Sequence, residues 1–458
     1  MPLMAEHVRT TEELAAFVHD LSDRGIPAAV QERVKDLLID AIACALAADK
    51  AEEISQLDAL ADLLGSAPEA TVAGHHERRS LAAATLLNAY RITALTACDV
   101  YTPAHFHVTP EVVPPALAIA EQRGASGRDL IVAVTAGLEV ATRVAAGLDY
   151  ATFRARGWHT PGVAGPFGGA AAVGKLAGLD MLRLRNALGL AGSQAAGTWA
   201  AWGTPTVKFH QARAALSGLL AGLLAETGFA AAEDVLTNPD GGLLAAYAGG
   251  GRPDLIVADL GERWELTRIS LRPWPGATPL QPVITALFRL IETAKLPSAH
   301  VRTVRIFVAP VVKQQHARFR HPTGTFEAML SVDYAAAALV RYGRLGIEEF
   351  LPAAYGQREL HDLIDQQIEV EVDPALSPLA CRVEVTDDSG STDVIAVDLP
   401  KGHPDDPASR ELLVDTFRRF AGGVLEPSST EEVLRQLTAL EDVHDTRKLC
   451  QLLRPARR

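Results

Sequence analysis

"RGWHTPGVAGPFGGAAAVGKLAG", Arg156 to Gly178, places Gly169, four intervening residues, then Gly174 and Lys175. That spacing approaches a phosphate-binding loop, which follows a strand and needs a Ser or Thr after the Lys to hold magnesium. Leu176 occupies that last position, "GWHTPGVAG" has no strand character, and Ala170 to Val173 favour helix. The stretch therefore predicts a helix beginning near Pro166, a residue suited to a first turn, with Gly168, Gly169 and Gly174 letting a neighbouring helix come close. A nucleotide fold would be α/β, whereas this reading points to a mainly α protein. The loop just ahead delivers His159 and Thr160 to a helix N-terminus, a place that attracts carboxylates as well as phosphates.

The helical texture extends outward on both sides. "TEELAAFVHDL" opens with Thr and Glu in capping positions, and "VQERVKDLLIDAIACALAA" spaces its apolar residues at three and four. "SLAAATLLNAYRITALTAC", "GRDLIVAVTAGLEVATRVAAGL" and "ARAALSGLLAGLLAETG" are apolar on most faces, as interior helices are. After the Gly-rich break "NPDGGLLAAYAGGGRPD" the period changes. "VRTVRIFVAP", "IEVEVDP", "CRVEVTDD" and "TDVIAVDLP" alternate apolar and polar residues, with "TDDSGSTD" as a hairpin turn. Helical spacing returns in "ASRELLVDTFRRFAGGVL" and "STEEVLRQLTALEDV". The expected architecture is a large all-helical domain formed by both chain ends, residues 1–263 and 401–458, with a smaller α+β lid domain at 264–400.

Composition supports a helical majority and narrows the partners. Of the 458 residues 48% are hydrophobic but only 5% aromatic, so Ala, Leu and Val dominate, a mixture suited to close helix packing. A formal net charge of -13 without a basic stripe argues against nucleic acid. It also means that any anion site is assembled locally from a few cationic side chains. The four cysteines are scattered without a C-x-x-C pair, which fits a reducing compartment. The N-terminus shows no basic region followed by an apolar core, and no apolar run reaches the roughly 18 to 20 residues of a membrane helix, so a cytoplasmic protein is expected.

Four segments carry candidate chemistry. "CDVYTPAHFHVTPEVVPPALAIAE" sets Asp99, Thr102, His105 and His107 in a Pro-rich loop between apolar helices, a rigid platform for side chains. Its alternate spacing also allows a metal reading on His105, His107, Asp99 and Glu111, which no H-E-x-x-H or Cys ligand supports. "GWHTPG" contributes His159. "WGTPTVKFHQARAALSG" places Lys208 and His210 at the start of an apolar helix, where the dipole disfavours a cation unless an anion or another partner compensates it. "ISLRPWPGATPLQP" brings Arg272 into the turn between the two domains, and Arg grips a carboxylate with paired hydrogen bonds. His75 and His76 read as a surface turn, and "KQQHARFRHPTG" as a solvated basic loop. Cations converging beside histidines that titrate near neutrality suit proton transfer on a small polycarboxylate.

The order of these segments resembles the MmgE/PrpD family, over nearly the whole chain. The resemblance runs from "LAAFVHDLSDRGIPAAVQERVKDLLIDAIACALA" through "HVTPEVVPPALAIAE", "GWHTPGVAGPFGGAAAVGKLAGLD" and "TPTVKFHQARAALSGLLAGLLAETGF" to "RRFAGGVLEPSSTEEVLRQLTALEDV". It implies a homodimer, a cleft between the domains, and no cofactor or metal. It also implies site roles for His107, His159 and Lys208, and a site-facing tyrosine at Tyr334 in "SVDYAAAALV". The chain departs from the family pattern in several places. Val108 replaces the usual Pro, "DVYT" shortens the family's acidic run so that Asp99 and Thr102 are its equivalents, and Arg272 stands for Lys. Gln281 stands for His, and the segment around Lys208 and His210 is one residue shorter. The expected activity is a lyase on a di- or tricarboxylate, foremost a 2-methylcitrate dehydratase-like hydro-lyase. In that reading Lys208 and Arg272 bind carboxylates and His107 carries the proton at carbon. Epimerisation of the iminodisuccinate type, cis-aconitate-type decarboxylation and a non-catalytic polycarboxylate binder are the alternatives.

Overall fold

The computed structural model describes residues 10–294 and 300–455. The start of the N-terminal stretch in which a leader was sought, residues 1–9, lies outside the described residues. Helix makes up 61% and strand 9%, so the apolar residues are buried chiefly helix against helix. The helices used below are α1 (Ala28–Ala47), α2 (Leu81–Ala94), α3 (Thr109–Arg123), α4 (Gly127–Gly147), α5 (Thr160–Leu176), α6 (Thr206–Glu226), α7 (Gln281–Ala294), α8 (Pro310–His316), α9 (Val332–Tyr342), α10 (Arg410–Ala421), α11 (Pro427–Thr438) and α12 (Thr446–Leu452). The strands used below are β1 (Val301–Val308), β2 (Ile368–Val372), β3 (Cys381–Asp387) and β4 (Thr392–Val397).

The glycine-rich stretch forms α5, the centre of the helical unit, packed by α3, α4 and α6. A Cβ on Gly218 of α6 would lie 2.7 Å from the Cα of Gly169, and one on Gly168 would lie 2.7 Å from the carbonyl of Gly137 in α4. The glycines thus set the distance between helices. The helix starts at Thr160, six residues ahead of the expected start, because Pro161 rather than Pro166 occupies its first turn. Pro166 is interior and has no N–H to give the Gly162 carbonyl. That carbonyl instead accepts from Ala196 N at 3.0 Å and Arg213 Nη2 at 3.1 Å, so the helix continues without an orphaned group.

By length and mean hydropathy α4 is apolar enough to cross a membrane, contrary to the sequence expectation, yet 94% of its apolar window is buried inside the protein. Its apolarity serves helix packing. Glu139 and Arg143 pair within it at 2.6 Å, both fully buried. Their other hydrogen bonds go to the backbone of 256–266: Glu139 accepts from Glu265 and Leu266 N, and Arg143 donates to the carbonyls of Ala258 and Arg263. The buried pair therefore fixes the segment that leads out of the helical unit.

These four strands form one sheet in the order β2-β1-β3-β4, with β1 and β2 parallel and the other pairs antiparallel. Val304, Ile306 and Val308 alternate with Arg305, whose guanidinium bridges Glu371 of β2 at 2.7 Å and Glu384 of β3 at 3.0 Å on the exposed face. α7 packs on β3 and β4 and also meets α9. Beyond the sheet, α10 and α11 pack on α1, and α12 packs on α3, so helices from both chain ends meet in the helical unit. Two crossings join the units, and they touch: Leu271 N donates to the Gly402 carbonyl at 3.0 Å.

Candidate active site

A cavity of about 400 Å³ opens where the helical unit faces the α+β unit. His107, His159, Lys208 and Arg272 all line it. Each sits at an end: His107 in the loop before α3, His159 at the N-cap of α5, Lys208 in the first turn of α6, and Arg272 in the first crossing. Helix ends leave backbone groups unpaired, so polar side chains are tolerated there among apolar neighbours. From the other side α8 contributes Val311, Val312, Gln315 and His316, with Phe326 and Leu330 beside them.

His107 Nδ1 lies 2.7 Å from the Asp99 carbonyl. A carbonyl only accepts, so Nδ1 carries the proton and Nε2 keeps its lone pair. Burial and the nearby Arg272 guanidinium pull the ring down to about 3, which keeps it neutral. The Asp99 carboxylate is turned away from the cavity. It accepts the N–H groups of Val108 at 2.9 Å and Thr109 at 3.1 Å, with the Thr109 hydroxyl, and so ties the His107 loop to the start of α3.

His159 is buried, and its Nδ1 lies 3.1 Å from Nδ1 of His210. Burial, then His210, His107 and Arg154, hold it well below the ordinary imidazole range. His210 itself does not line the cavity. The loop at 196–199 wraps the pair: the Gly197 carbonyl accepts from His159 N, and a Cβ on Gly197 would come within 3.1 Å of the His210 ring.

Lys208 is buried and donates to the carbonyl of Ala94, the last residue of α2. The negative end of α2 thus offsets the unfavourable dipole of α6, the compensation that the sequence left open. Its ammonium also lies 4.2 Å from the centroid of the Phe326 ring. Desolvation lowers it to about 8, against the opposing pull of Glu53. Arg272 gives Nε to the Cys98 carbonyl, Nη1 to the Gly276 carbonyl and Nη2 to Cys98 Sγ, which leaves two of its five N–H groups unassigned.

The remaining expected residues stand elsewhere. Gln281 donates to the carbonyls of Trp274 and Gly276, bracing the turn that carries Arg272 from outside the cavity. Thr102 pairs its hydroxyl with Ser270 at 3.2 Å, away from the lining. Tyr334 does not face the site, a correction to the resemblance: it is fully buried beside Phe350, and its hydroxyl donates to the Glu349 carbonyl. Of the four groups weighed for a metal, Asp99 is engaged as described, and both Glu111 oxygens are buried without a hydrogen-bond partner where α3 meets Gly165. Burial raises the Glu111 carboxyl well above its usual range. Among the described residues no group of three His, Cys, Asp or Glu converges to hold a metal.

The structure adds residues that the sequence reading passed over. The segment read as a solvated loop begins inside α8, and His316 is buried in the cavity wall with Nδ1 2.8 Å from the Leu330 carbonyl. Val312 and His316, four apart, are its inward positions, a signal available in "PVVKQQH" once a helix is assumed. Gln211, three residues after Lys208, lines the cavity with a buried Oε1 that has no partner. Thr96 lines it too, at φ 50, a strained backbone for a β-branched residue, with its hydroxyl unpartnered. Arg154 completes the cationic set, its guanidinium 4.0 Å from the centre of the Trp199 ring. No sequence signal separated Arg154 from a surface arginine.

Comparison with known proteins finds the pattern of the MmgE/PrpD N-terminal domain over residues 12–256 and that of the MmgE/PrpD C-terminal domain over residues 274–442. The chain is similar to the cis-aconitate decarboxylase-like protein oryM of Aspergillus oryzae, 28% identical over 467 residues that cover 97% of each chain. It is also similar to the cis-aconitate decarboxylases of Homo sapiens, at 26% over 97% of this chain and 94% of that one, and of Aspergillus terreus, at 28% over 97% and 95%.

Proposed function

The chain belongs to the MmgE/PrpD family, and on that premise we propose that it is a carboxy-lyase for an unsaturated tricarboxylate of the cis-aconitate class. The observation that carries the reading is the placement of Lys208 and Arg272, two buried cations with N–H groups to spare, in one cavity with two neutral histidines. Full-length similarity to proteins named for this decarboxylation moves the weight from dehydration to loss of carbon dioxide.

In that reaction the bond to one carboxylate carbon breaks, carbon dioxide departs, and the electron pair stays on the substrate, spread toward the retained carboxylates. Lys208 and Arg272 bind those carboxylates and stabilise the developing charge in a site shielded from water. The carbanion then takes one proton at carbon. His107 presents a lone pair and accepts protons, so the donor is His159, whose Nδ1 is occupied by His210 and whose Nε2 is left for the cavity. This reverses the sequence-based preference for His107 as the carbon-side proton carrier.

Dehydration is the second reading, favoured by the same free Nε2 of His107, which is suited to removing a proton from carbon. Incubation with cis-aconitate, 2-methylcitrate and iminodisuccinate, followed by proton NMR and carbon dioxide release, separates the outcomes. Carbon dioxide with a new alkene proton pattern supports the proposal. Water loss from 2-methylcitrate, or deuterium exchange without net reaction, replaces it. A homodimer belongs to the same reading: Leu220 and Leu224, one turn apart on α6, are exposed together with Phe229 just beyond its end, an apolar surface for a second copy.

A further inference from the structure

Decarboxylation of a carboxylate consumes one proton per turnover, and the carbon that receives it lies in a buried cavity. His159, the donor of that proton, is paired on its other side with His210. Their Nδ1 atoms are 3.1 Å apart, a separation that holds one shared proton, since two protonated Nδ1 atoms would meet donor to donor. The charged groups acting on the rings are Arg154 on His159 and Arg213 on His210. Neither of them is an acid that would hold the pair as an imidazolium.

The pair therefore has two neutral arrangements. In one, His210 donates through Nδ1 and His159 presents Nε2–H to the cavity. In the other, His159 donates through Nδ1 and presents a lone pair. His159 lines the cavity and His210 does not. His210 retains 9% of its surface, beside Ala196 and Thr198, which are exposed.

We propose that His210 is a positioning residue that gives His159 a proton at Nδ1 as His159 gives up the one on Nε2, the two rings forming a relay that keeps the donor neutral. The inference rests on the decarboxylase reading above. As His159 Nε2–H is transferred to the substrate carbon, His159 Nδ1 receives the Nδ1 proton of His210, and His210 Nε2 takes a proton from water. One N–H bond is broken and one formed at each ring, so neither ring ends charged and no imidazolate forms. After product leaves, water entering the cavity gives a proton to His159 Nε2, the Nδ1 proton returns to His210, and His210 releases its Nε2 proton to solvent; the first arrangement is restored and the cycle has taken up one proton in all.

The test compares His210→Asn and His210→Phe with the parent protein. The relay predicts that kcat for carbon dioxide release falls at least tenfold with KM changed less than threefold, and that the solvent isotope effect on kcat rises. Added imidazole restores part of kcat in His210→Gly. A His210→Asn protein with kcat and isotope effect within twofold of the parent overturns it. Histidine ¹⁵N spectra of the resting parent protein read the pair without turnover. Nδ1 shifts averaged between protonated and bare values support sharing, while a proton fixed on one ring overturns the relay even if the protein is an active decarboxylase. If sharing is seen but no acid loses carbon dioxide, the relay stands and the decarboxylase reading falls.

Discussion

The ammonium of Lys208, carried by the helical unit, lies 4.2 Å from the centroid of the Phe326 ring, carried by the α+β unit. The cation is thus shut between the two units, with one hydrogen bond to the Ala94 carbonyl and a ring face in place of water. A ring face attracts a cation more weakly than the water it displaces, so the charge is held at a cost that a bound carboxylate would relieve. The lowering to about 8 expresses that cost.

The activity profile should follow it. Carboxylate binding needs the ammonium, so kcat/KM should fall as pH rises through about 8. On the acid side His107, held at about 3, and His316, held at about 4, stay neutral through the whole physiological range. A plot of kcat/KM against pH should therefore show its descending limb near 8 and no histidine limb due to either ring. A limb that persists unchanged in Lys208→Arg, whose guanidinium stays charged throughout, would assign it elsewhere.

Lys208→Met should abolish turnover while stabilising the fold. The folded pKa lies below the unfolded value, so between about 8 and 10.5 the unfolded chain binds more protons and stability rises with pH. At neutral pH the charged lysine costs on the order of 3 kcal/mol, which the substitution removes along with one hydrogen bond. Thermal melts at pH 7 should place the variant above the parent, with the gap narrowing toward pH 10.

Arg272→Lys should keep the charge and lose the geometry. One ammonium cannot reproduce the donors to the Cys98 and Gly276 carbonyls and still offer a paired grip on a carboxylate. Losing one charge-assisted hydrogen bond, roughly 1.5–3 kcal/mol, corresponds to a loss of about 10- to 150-fold in kcat/KM. Steady-state kinetics check the figure, and a change under threefold removes Arg272 from carboxylate binding.

Gly218→Ala should destabilise the protein although alanine favours helix by about 1 kcal/mol. Its Cβ would meet the Gly169 Cα at 2.7 Å and the Ala170 nitrogen at 2.9 Å, backbone atoms that cannot rotate away. Overpacking of this kind costs about 1–3 kcal/mol, so the net Tm should fall. Calorimetry of Gly218→Ala beside a substitution at Gly324, which meets nothing and has extended backbone, isolates the helix contact.

Much of this could be read before the structure, for identifiable reasons. β1 and β3 show plain alternation because one face of each packs inward and the other meets solvent. His107, His159, Lys208 and Arg272 stood out because they interrupt the junctions of apolar helices, where few polar groups are tolerated without a purpose. Tyr334 misled because a position in a helix does not say which neighbour the side chain meets: the Ser331 cap starts α9 so that the ring turns to Phe350. His316 was hidden among Lys313, Gln314 and Arg318, which are exposed, while its own side of α8 turns inward. The strain at Thr96 and the spare Oε1 of Gln211 arise only from tertiary packing, so no local pattern announces them.

The hydrogen bond from Leu271 to Gly402 has a mechanical consequence. A Cβ on Gly402 would fall 2.1 Å from the Leu271 carbonyl, so the two chain crossings run in direct contact. Two bodies joined by a narrow, bonded pair of strands turn about the line of that pair, and points near the line scarcely move. Arg272 is the next residue after Leu271, whereas Phe326 and His316 lie across the cavity on the α+β side. The pivot and the proposed carboxylate clamp are thus nearly the same place: opening the cleft would sweep the aromatic wall off the Lys208 ammonium while the arginine keeps its station. Paired labels at 208 and 326 should then separate between the unliganded and liganded protein, and labels at 271 and 402 should not.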